Sequence, residues 1–462
     1  MQCKIFLKNL LMKLKLNNLI KKSTILSIPG LISILISLLS IPVHLNLAGP
    51  ESYGNYIIFH FILMLSINFN FGIGKSTAIS INNYPKENRK ISYKAIEYTK
   101  KISYFIFGIF CFAILINHLF FNNSNLFEYL FYLFLGSIIT IFFLSIEGVL
   151  QGNRKFEIIS LINLSFFSFS FSVPSLMLIL NSNLNLQQLI MISIFIKFVT
   201  VIVIFLTIYN KSYIEKSNSN ILYTNLKKNS KWITLNGILI QFYDLFDKYL
   251  IKFFLGATAL ATYSVPQQLT GKLSIISKSF SAYLLPDLSK KKINNNDFEF
   301  SLNLFLTIIP IFIFILFPFY SSILEIWLRN SYNEEILILT KIFSLSVIFS
   351  CSSHILITKF EASKTLKKNL KIEFILMPIF LFSLFYLIQM KYSLIMISFL
   401  ILAKEYILFI LRLNYLNNYL KKFKTYFLYS LILISLLLLS FLNMKLFFVF
   451  LVIFFIIILR NN

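Results

Sequence analysis

Residues 242–256 read FYDLFDKYLIKFFLG, and inside this apolar stretch lie Asp244, Asp247, Lys248 and Lys252. Carboxylates and ammonium groups in an apolar helix can pair with each other, relay a proton or hold an ion of opposite charge. Asp244 and Lys248 stand four residues apart, so on a helix they can pair and lower the cost of burial. Lys252 has no acid placed to answer it within the helix. Across the apolar segments defined below the same imbalance recurs. Eight bases fall inside them (Lys197, Lys248, Lys252, Lys272, Lys278, Lys341, Lys404 and Arg412) against four acids (Glu147, Asp244, Asp247 and Glu405). A surplus of cations in a cavity selects anions, and phosphate is the natural candidate.

The elements that must carry these groups are membrane spans. The chain has 462 residues, 57% of them hydrophobic and 13% charged, with mean hydropathy +0.78. Apolar runs of that density exclude a soluble multidomain enzyme and imply an all-α polytopic membrane protein. We read about 14 spans, near 23–43, 54–74, 102–121, 127–150, 157–180, 186–209, 231–254, 258–285, 302–320, 335–357, 371–388, 392–415, 425–442 and 444–460. With the N-terminus in the cytoplasm, the inside segments hold 32 Lys and Arg and the outside segments three (Arg329, Lys391 and Lys445). That bias is what a correct span count and orientation require. The net charge of +25 is therefore mostly a topology signal, and a nucleic-acid partner is set aside. Both termini are expected in the cytoplasm.

Other chemistry is sparse. Cys3, Cys111 and Cys351 make neither a metal spacing nor a disulfide framework, and the four histidines (His44, His60, His118, His354) are scattered. The histidines read as satisfied groups near span ends, and no metal is expected. The segment 1–22 puts Lys4, Lys8, Lys15 and Lys22 on one helical face, which suits a helix on the inner membrane surface or a basic tail. No outside loop exceeds roughly fifteen residues, which leaves no room for an external catalytic domain.

The chain repeats itself. LAGPESYGNY (47–56) matches LGATALATY (255–263) at an offset of 207, and QGNRK (151–155) stands beside EASKT (361–365) at an offset of 210. Each pair lies six spans apart, so a six-span unit is duplicated in parallel. Two six-helix lobes follow, 23–209 and 231–415, with a cytoplasmic linker at 210–230 and two appended helices in 416–462. In a transporter of this plan the substrate path runs between the halves.

Depth and face sort the buried groups. At a helical rise of about 1.5 Å per residue, Lys197, Lys272 and Lys404 fall nearest the midplane. Facing lipid, each would cost roughly 2.5–3.5 kcal/mol, so a wet cavity or a partner is expected. In span seven Thr234, Gln241, Asp244, Lys248 and Lys252 fall within about 80°, with Asp247 beside them. In span eight Ser264, Gln268, Lys272, Lys278 and Ser279 share about 120°; in span one Ser33, Ser37 and Ser40 share about 60°. The serines suit a helix-packing seam and the lysines a lumen. Arg412, near an inner end, can snorkel.

LAGPESYGNYIIF (47–59), GVLQGNRKFEII (148–159), FDKYLIKFFLGATALATYSVP (246–266) and AYLLPDLSK (282–290) resemble the bacterial polysaccharide flippases, the O-antigen-type exporters of the multidrug/oligosaccharidyl-lipid/polysaccharide (MOP) superfamily. The resemblance spans about 23–415. It implies a two-lobed bundle of twelve core helices around a central cavity. It also implies an undecaprenyl-diphosphate-linked oligosaccharide moved from the inner to the outer leaflet of the cytoplasmic membrane, with membrane lipids and polysaccharide polymerase machinery as partners. The basic lumen it implies would hold the diphosphate, and the candidate cations, placed by depth and face, are Lys197, Lys248, Lys252, Lys272, Lys278, Lys341 and Lys404. The acids for coupling to protons or sodium are Asp244, Asp247 and Glu405. Only Asp247 and Lys248 transfer by motif. The sequence departs from the family after the tyrosine of span eight, where SVPQQLTGK offers Gln267 and Gln268 and delays its cation to Lys272. Rival readings are a multidrug exporter of the same fold, a flippase for the peptidoglycan precursor, and a membrane polymerase or transferase. The base surplus opposes the first and the short outside loops the last.

Overall fold

The computed structural model describes residues 32–416 apart from 33, 34, 37, 64–71, 118, 120–123, 211–233, 236, 240, 241, 243, 244, 290–294 and 364. The basic segment 1–22, spans thirteen and fourteen, most of the linker, and Ser33, Ser37, Gln241 and Asp244 lie outside the described residues. Every described element is helical. Helix α1 covers 38–63; α2 is Ile73–Asn83, α3 Asn88–Ile116, α4 Ser124–Gly152, α5 Phe156–Asn163, α6 Ser170–Met177 and α7 Leu186–Asn210. Helix α8 covers 245–255; α9 is Ala257–Gly271, α10 Ser274–Ser289, α11 Asn295–Leu316, α12 Tyr320–Leu328, α13 Glu334–Ala362, α14 Leu366–Gln389 and α15 Leu394–Tyr415. Eight helical segments among the described residues are long and apolar enough to cross a membrane. Helix α3 shows how: Ile91, Ala95, Ile102 and Ile106 are buried while Tyr104, Phe105 and Phe112 are exposed. Outward aromatic and aliphatic side chains of this kind are stable against lipid. The protein is a multi-pass membrane protein.

The basic stretch 75–101, expected as a loop, is helical instead. Helix α2 runs through it, one 3₁₀ turn at Pro85–Glu87 reverses the chain, and α3 begins at Asn88, well ahead of the expected span at 102–121. Pairing explains the extension: Glu97 bonds Lys94 at 2.8 Å and Lys101 at 3.2 Å, at i−3 and i+4, which stabilises a helix where it leaves the apolar layer. The eighth span is broken rather than continuous, at Lys272 and Leu273.

Equivalent elements recur at the sequence offsets. Helix α4 and helix α13 both have 29 residues and start 210 apart; α3 and α11 start 207 apart, α5 and α14 start 210 apart, and α7 and α15 start 208 apart. The chain turns between α4 and α5 with Asn153 N–H donating to Val149 O (3.1 Å) and Lys155 N–H to Leu150 O (3.0 Å). Between α13 and α14, Ser363 N–H donates to Lys359 O (3.0 Å) and Thr365 N–H to Phe360 O (3.1 Å), the same two bonds at the equivalent positions of the second repeat. Gly49 (φ +82°) and Gly256 (φ +93°) occupy matching left-handed positions, where a side chain would be strained. Tyr56 and Tyr263, at the same spacing after each glycine, are both fully buried.

The chain forms two compact units, Met1–Leu245 with Ser279–Lys290, and Phe246–Lys278 with Lys291–Asn462. In the first, α1, α4, α5–α6 and α7 share a core that includes Tyr56, Phe143, Phe166 and Ile190. Helices α2 and α4 meet closely: a Cβ on Gly148 would lie 2.2 Å from the Gly74 carbonyl oxygen.

Candidate functional site

The sequence FDKYLIKFFLG folds as α8, and Asp247 and Lys248 are almost fully buried there, at 2% and 1% exposure. Asp247 Oδ1 accepts from the backbone N–H of Lys248 (2.7 Å) and from its Nζ (3.2 Å). Oδ2 accepts from the hydroxyl of Tyr263 in α9 at 2.6 Å. Charge-assisted bonds of this number offset the loss of hydration of a buried ion pair. Sequence reasoning pairs Lys248 with Asp244. The described partner is Asp247, and Asp244 lies outside the described residues. Tyr263, further along the same motif, was the missed signal. Lys252 follows one turn after Lys248 and is half-buried.

Lys272 stands where α9 ends. Pro266 and Gly271 weaken α9, and the chain passes into α10 through tight turns, Leu273 N–H to Thr270 O (3.0 Å) and Ile275 N–H to Lys272 O (3.1 Å). Lys272, half-buried, is thus the residue that caps the C-terminus of α9, where a helix's partial negative charge favours a cation. Lys278, near enough to act on it electrostatically, is exposed. Cys351 of α13 is within electrostatic reach of both Lys278 and Glu405. Lys404, which is buried, bonds Glu405 at 3.0 Å and lies 5.1 Å above the ring of Phe380. Lys341 is half-buried, 5.4 Å above Phe317.

Arg412 does not snorkel. It is 3% exposed, donates from Nε to Asn369 Oδ1 at 3.0 Å and pairs through Nη2 with Glu373, both partners on α14 being fully buried. An inward-facing guanidinium finds an amide oxygen for Nε and a carboxylate oxygen for Nη2 on one face of α14, so burial wins over reaching for water. Sequence reasoning leaves Glu373 out of the spanning acids, although it falls just inside the span at 371–388.

In the first unit Lys197 is 2% exposed, with Nζ 5.2 Å above Phe166. His44 and His60 are interior residues rather than interfacial ones, because the helix that carries both enters the core. His44 Nδ1 is 2.9 Å from Ser175 Oγ, and Nε2 is 3.4 Å from Ser52 Oγ. Glu147 accepts a hydrogen bond from Asn163 at 2.9 Å. Among the described residues no three His, Cys, Asp or Glu side chains come together to hold a metal.

Residues 19–292 match the family described as polysaccharide biosynthesis protein. No curated protein matches the chain. Solved structures share its fold over most of their length. A MATE protein in complex with MaL6 is 14% identical, with TM-score 0.65, covering 88% of this chain and 97% of that one. The Vibrio cholerae MATE transporter VcmN in its bent form is 13% identical, with TM-score 0.61, covering 89% and 99%. A MOP superfamily transporter from Pyrococcus furiosus, for which reverse polarity of the binding pocket suggests a different function, is 13% identical, with TM-score 0.62, covering 87% and 96%.

Proposed function

Because the chain belongs to the polysaccharide biosynthesis protein family, we propose that it is a flippase, not an enzyme, that carries an undecaprenyl-diphosphate-linked oligosaccharide across the bacterial cytoplasmic membrane by alternating access. The observation that carries this reading is the half-buried Lys272 in the break between α9 and α10, with Lys278 within electrostatic reach. Broken helices at membrane depth are tolerated where backbone lines a cavity, and they mark binding sites in transporters. Two ammonium groups near such a break suit a diphosphate, whose charge they meet as point charges. Lys252 and Lys341, both half-buried, supply further cations, while Lys248 and Lys404 are each tied to an acid. Asp244, Asp247 and Glu405 serve coupling or gating. The termini lie in the cytoplasm, and polysaccharide polymerase machinery takes the product.

The fold shared with multidrug transporters favours a second reading, export of drugs. Cationic drugs need acidic lumens, and the cations here argue for the anionic substrate. The pocket of reverse polarity named for one similar transporter fits that pattern.

Complementation decides between them. The protein is expressed in a bacterium lacking its own O-antigen flippase, and surface polysaccharide is assayed alongside drug resistance. Restored glycan that falls tenfold or more in Lys272→Ala, at equal membrane expression, and recovers in Lys272→Arg is the expected result. Glycan export that survives Lys272→Ala sinks the site, and drug resistance without glycan sinks the flippase.

A further inference from the structure

Helices α3 and α4 have 29 residues each, so each is about 43 Å long at the helical rise. A hydrocarbon core is about 30 Å thick, and a bilayer with its headgroup layers about 40–45 Å. Both helices therefore reach from one headgroup layer to the other. They run antiparallel, so the start of α3 meets the end of α4. Two bonds fix their register: Thr99 Oγ1 donates to Ser145 Oγ at 2.8 Å in the interior, and Asn88 Nδ2 donates to Asn153 Oδ1 at 3.1 Å at the end. The junction of Asn88 and Asn153 thus stands at the level of the lipid phosphates, on the face that the bias of Lys and Arg puts in the cytoplasm.

Cations gather at this junction from both sides. Lys86 lies in the turn before α3, Arg89 and Lys90 open α3, and Arg154 and Lys155 form the turn after α4; all five are exposed. The exposed acids beside them are Glu87 and Glu157. Further along α3, Lys94 and Lys101 are answered by Glu97. Lys86, Arg89, Lys90 and Lys155 enter no ion pair among the described residues. The positive-inside rule accounts for cations on this face but not for their being tied together. Asn153 ties them: its Nδ2 donates to Val149 O at 2.8 Å while its Oδ1 accepts from Asn88. Arg154, next to it, holds φ +59°, a left-handed backbone uncommon outside glycine and asparagine. Such strain persists where the surroundings over-determine it, as at ligand clamps. Like charges held on two joined turns repel, and an arriving anion relieves the repulsion.

We propose that Lys86, Arg89, Lys90, Arg154 and Lys155 form a clamp for lipid-borne phosphate at the cytoplasmic surface of the first unit. It uses none of the lysines assigned above to the lumen. The two guanidinium groups offer paired donors to phosphate oxygens, and the three ammonium groups act as point charges. Two sources carry this chemistry: the headgroup of an anionic bilayer lipid and the diphosphate of a lipid-linked cargo. Only the second rests on the flippase reading.

The test needs no transport, so its failure is distinct from failure of the flippase reading. The full chain in neutral detergent is mixed with phosphatidylglycerol or with undecaprenyl diphosphate, with phosphatidylcholine as the baseline, and bound lipid is counted by native mass spectrometry. Arg154→Gln with Lys155→Gln is expected to weaken binding of anionic lipid about fivefold for each cation removed. Lys367→Gln with Lys368→Gln takes the same charge from exposed positions of the second unit and is expected to leave binding unchanged. Asn153→Ala removes no charge yet unties the turns, and weaker binding is expected there too; should it fail to fold, Asn88→Ala breaks the same bond. Weakening with phosphatidylglycerol assigns the clamp to bilayer lipid, and weakening with undecaprenyl diphosphate alone assigns it to the cargo. Binding of both lipids that survives the Arg154 and Lys155 changes, or that falls equally in the Lys367 and Lys368 control, overturns the proposal. Full affinity in Asn153→Ala overturns it as well, because untied cations would then suffice.

Discussion

At the scale of single residues, buried ions here are held by named partners. Tyr263 gives Asp247 one of its three hydrogen bonds. Tyr263→Phe keeps the ring and its edge contact with Phe343 but removes a bond to a charged acceptor, which costs about 1.5–3 kcal/mol. A lower melting temperature in detergent with unchanged helix content is the expected result. The Arg412 pair makes a sharper case. Glu373→Ala leaves a guanidinium buried with a lost partner, a change worth about 3–5 kcal/mol, whereas the double change Glu373→Leu with Arg412→Met removes both charges and should recover most of the loss. Thermal unfolding of the three proteins, side by side, checks this; a double variant no better than Glu373→Ala would show that the pair is not what holds α14 to α15. Asp247 and Lys248 were legible in the sequence as charged motif positions, though not as each other's partners, since i, i+4 spacing pointed Lys248 at Asp244. Glu373 and Arg412 were not legible as a pair, since they lie far apart in the chain and only the packing of two helices brings them together.

At the scale of elements, small residues set how closely helices approach. Gly148 of α4 meets backbone, not a movable side chain, so Gly148→Val forces α2 away and should lower stability by about 1–3 kcal/mol. Gly256 differs in kind. A Cβ there would meet nothing within 4 Å, yet φ is +93°. Gly256→Ala should cost about 1–2 kcal/mol through backbone strain alone. Reduced melting temperature in both variants is the expected result; a loss that grows with side-chain size at 148 but is the same for alanine and serine at 256 separates clash from strain. The break after Gly271 follows from local weakness of α9, where a proline and a glycine stand close together near its end, yet the apolar run 258–285 gave no sign of where a span would part.

At the scale of the whole chain, the repeat makes a topological prediction. The turns after α4 and α13 use the same two backbone bonds, one pair in each repeat. If the duplication is parallel, reporter fusions placed after Lys155 and after Thr365 fall on one side of the membrane, and the bias of Lys and Arg puts that side in the cytoplasm. Alkaline phosphatase and green fluorescent protein fusions read this directly; opposite sides for the two positions would end the parallel reading.

By itself the sequence determined that the chain is a helical membrane protein built from a repeated unit. Hydropathy and the offset of 207–210 are properties of residue order, and the bilayer converts them into helices because an unclosed chain has no other way to satisfy its own backbone hydrogen bonds there. It also located the charged positions, since a lysine in an apolar run is conspicuous wherever it points. What the sequence left open is each charge's partner. Lys197 on the face of Phe166, Arg412 on Glu373 and Phe171 against His60 of α1 are decided by which helices pack together. Side-chain contacts between segments far apart in the chain carry no local signature, and only the tertiary structure fixes them.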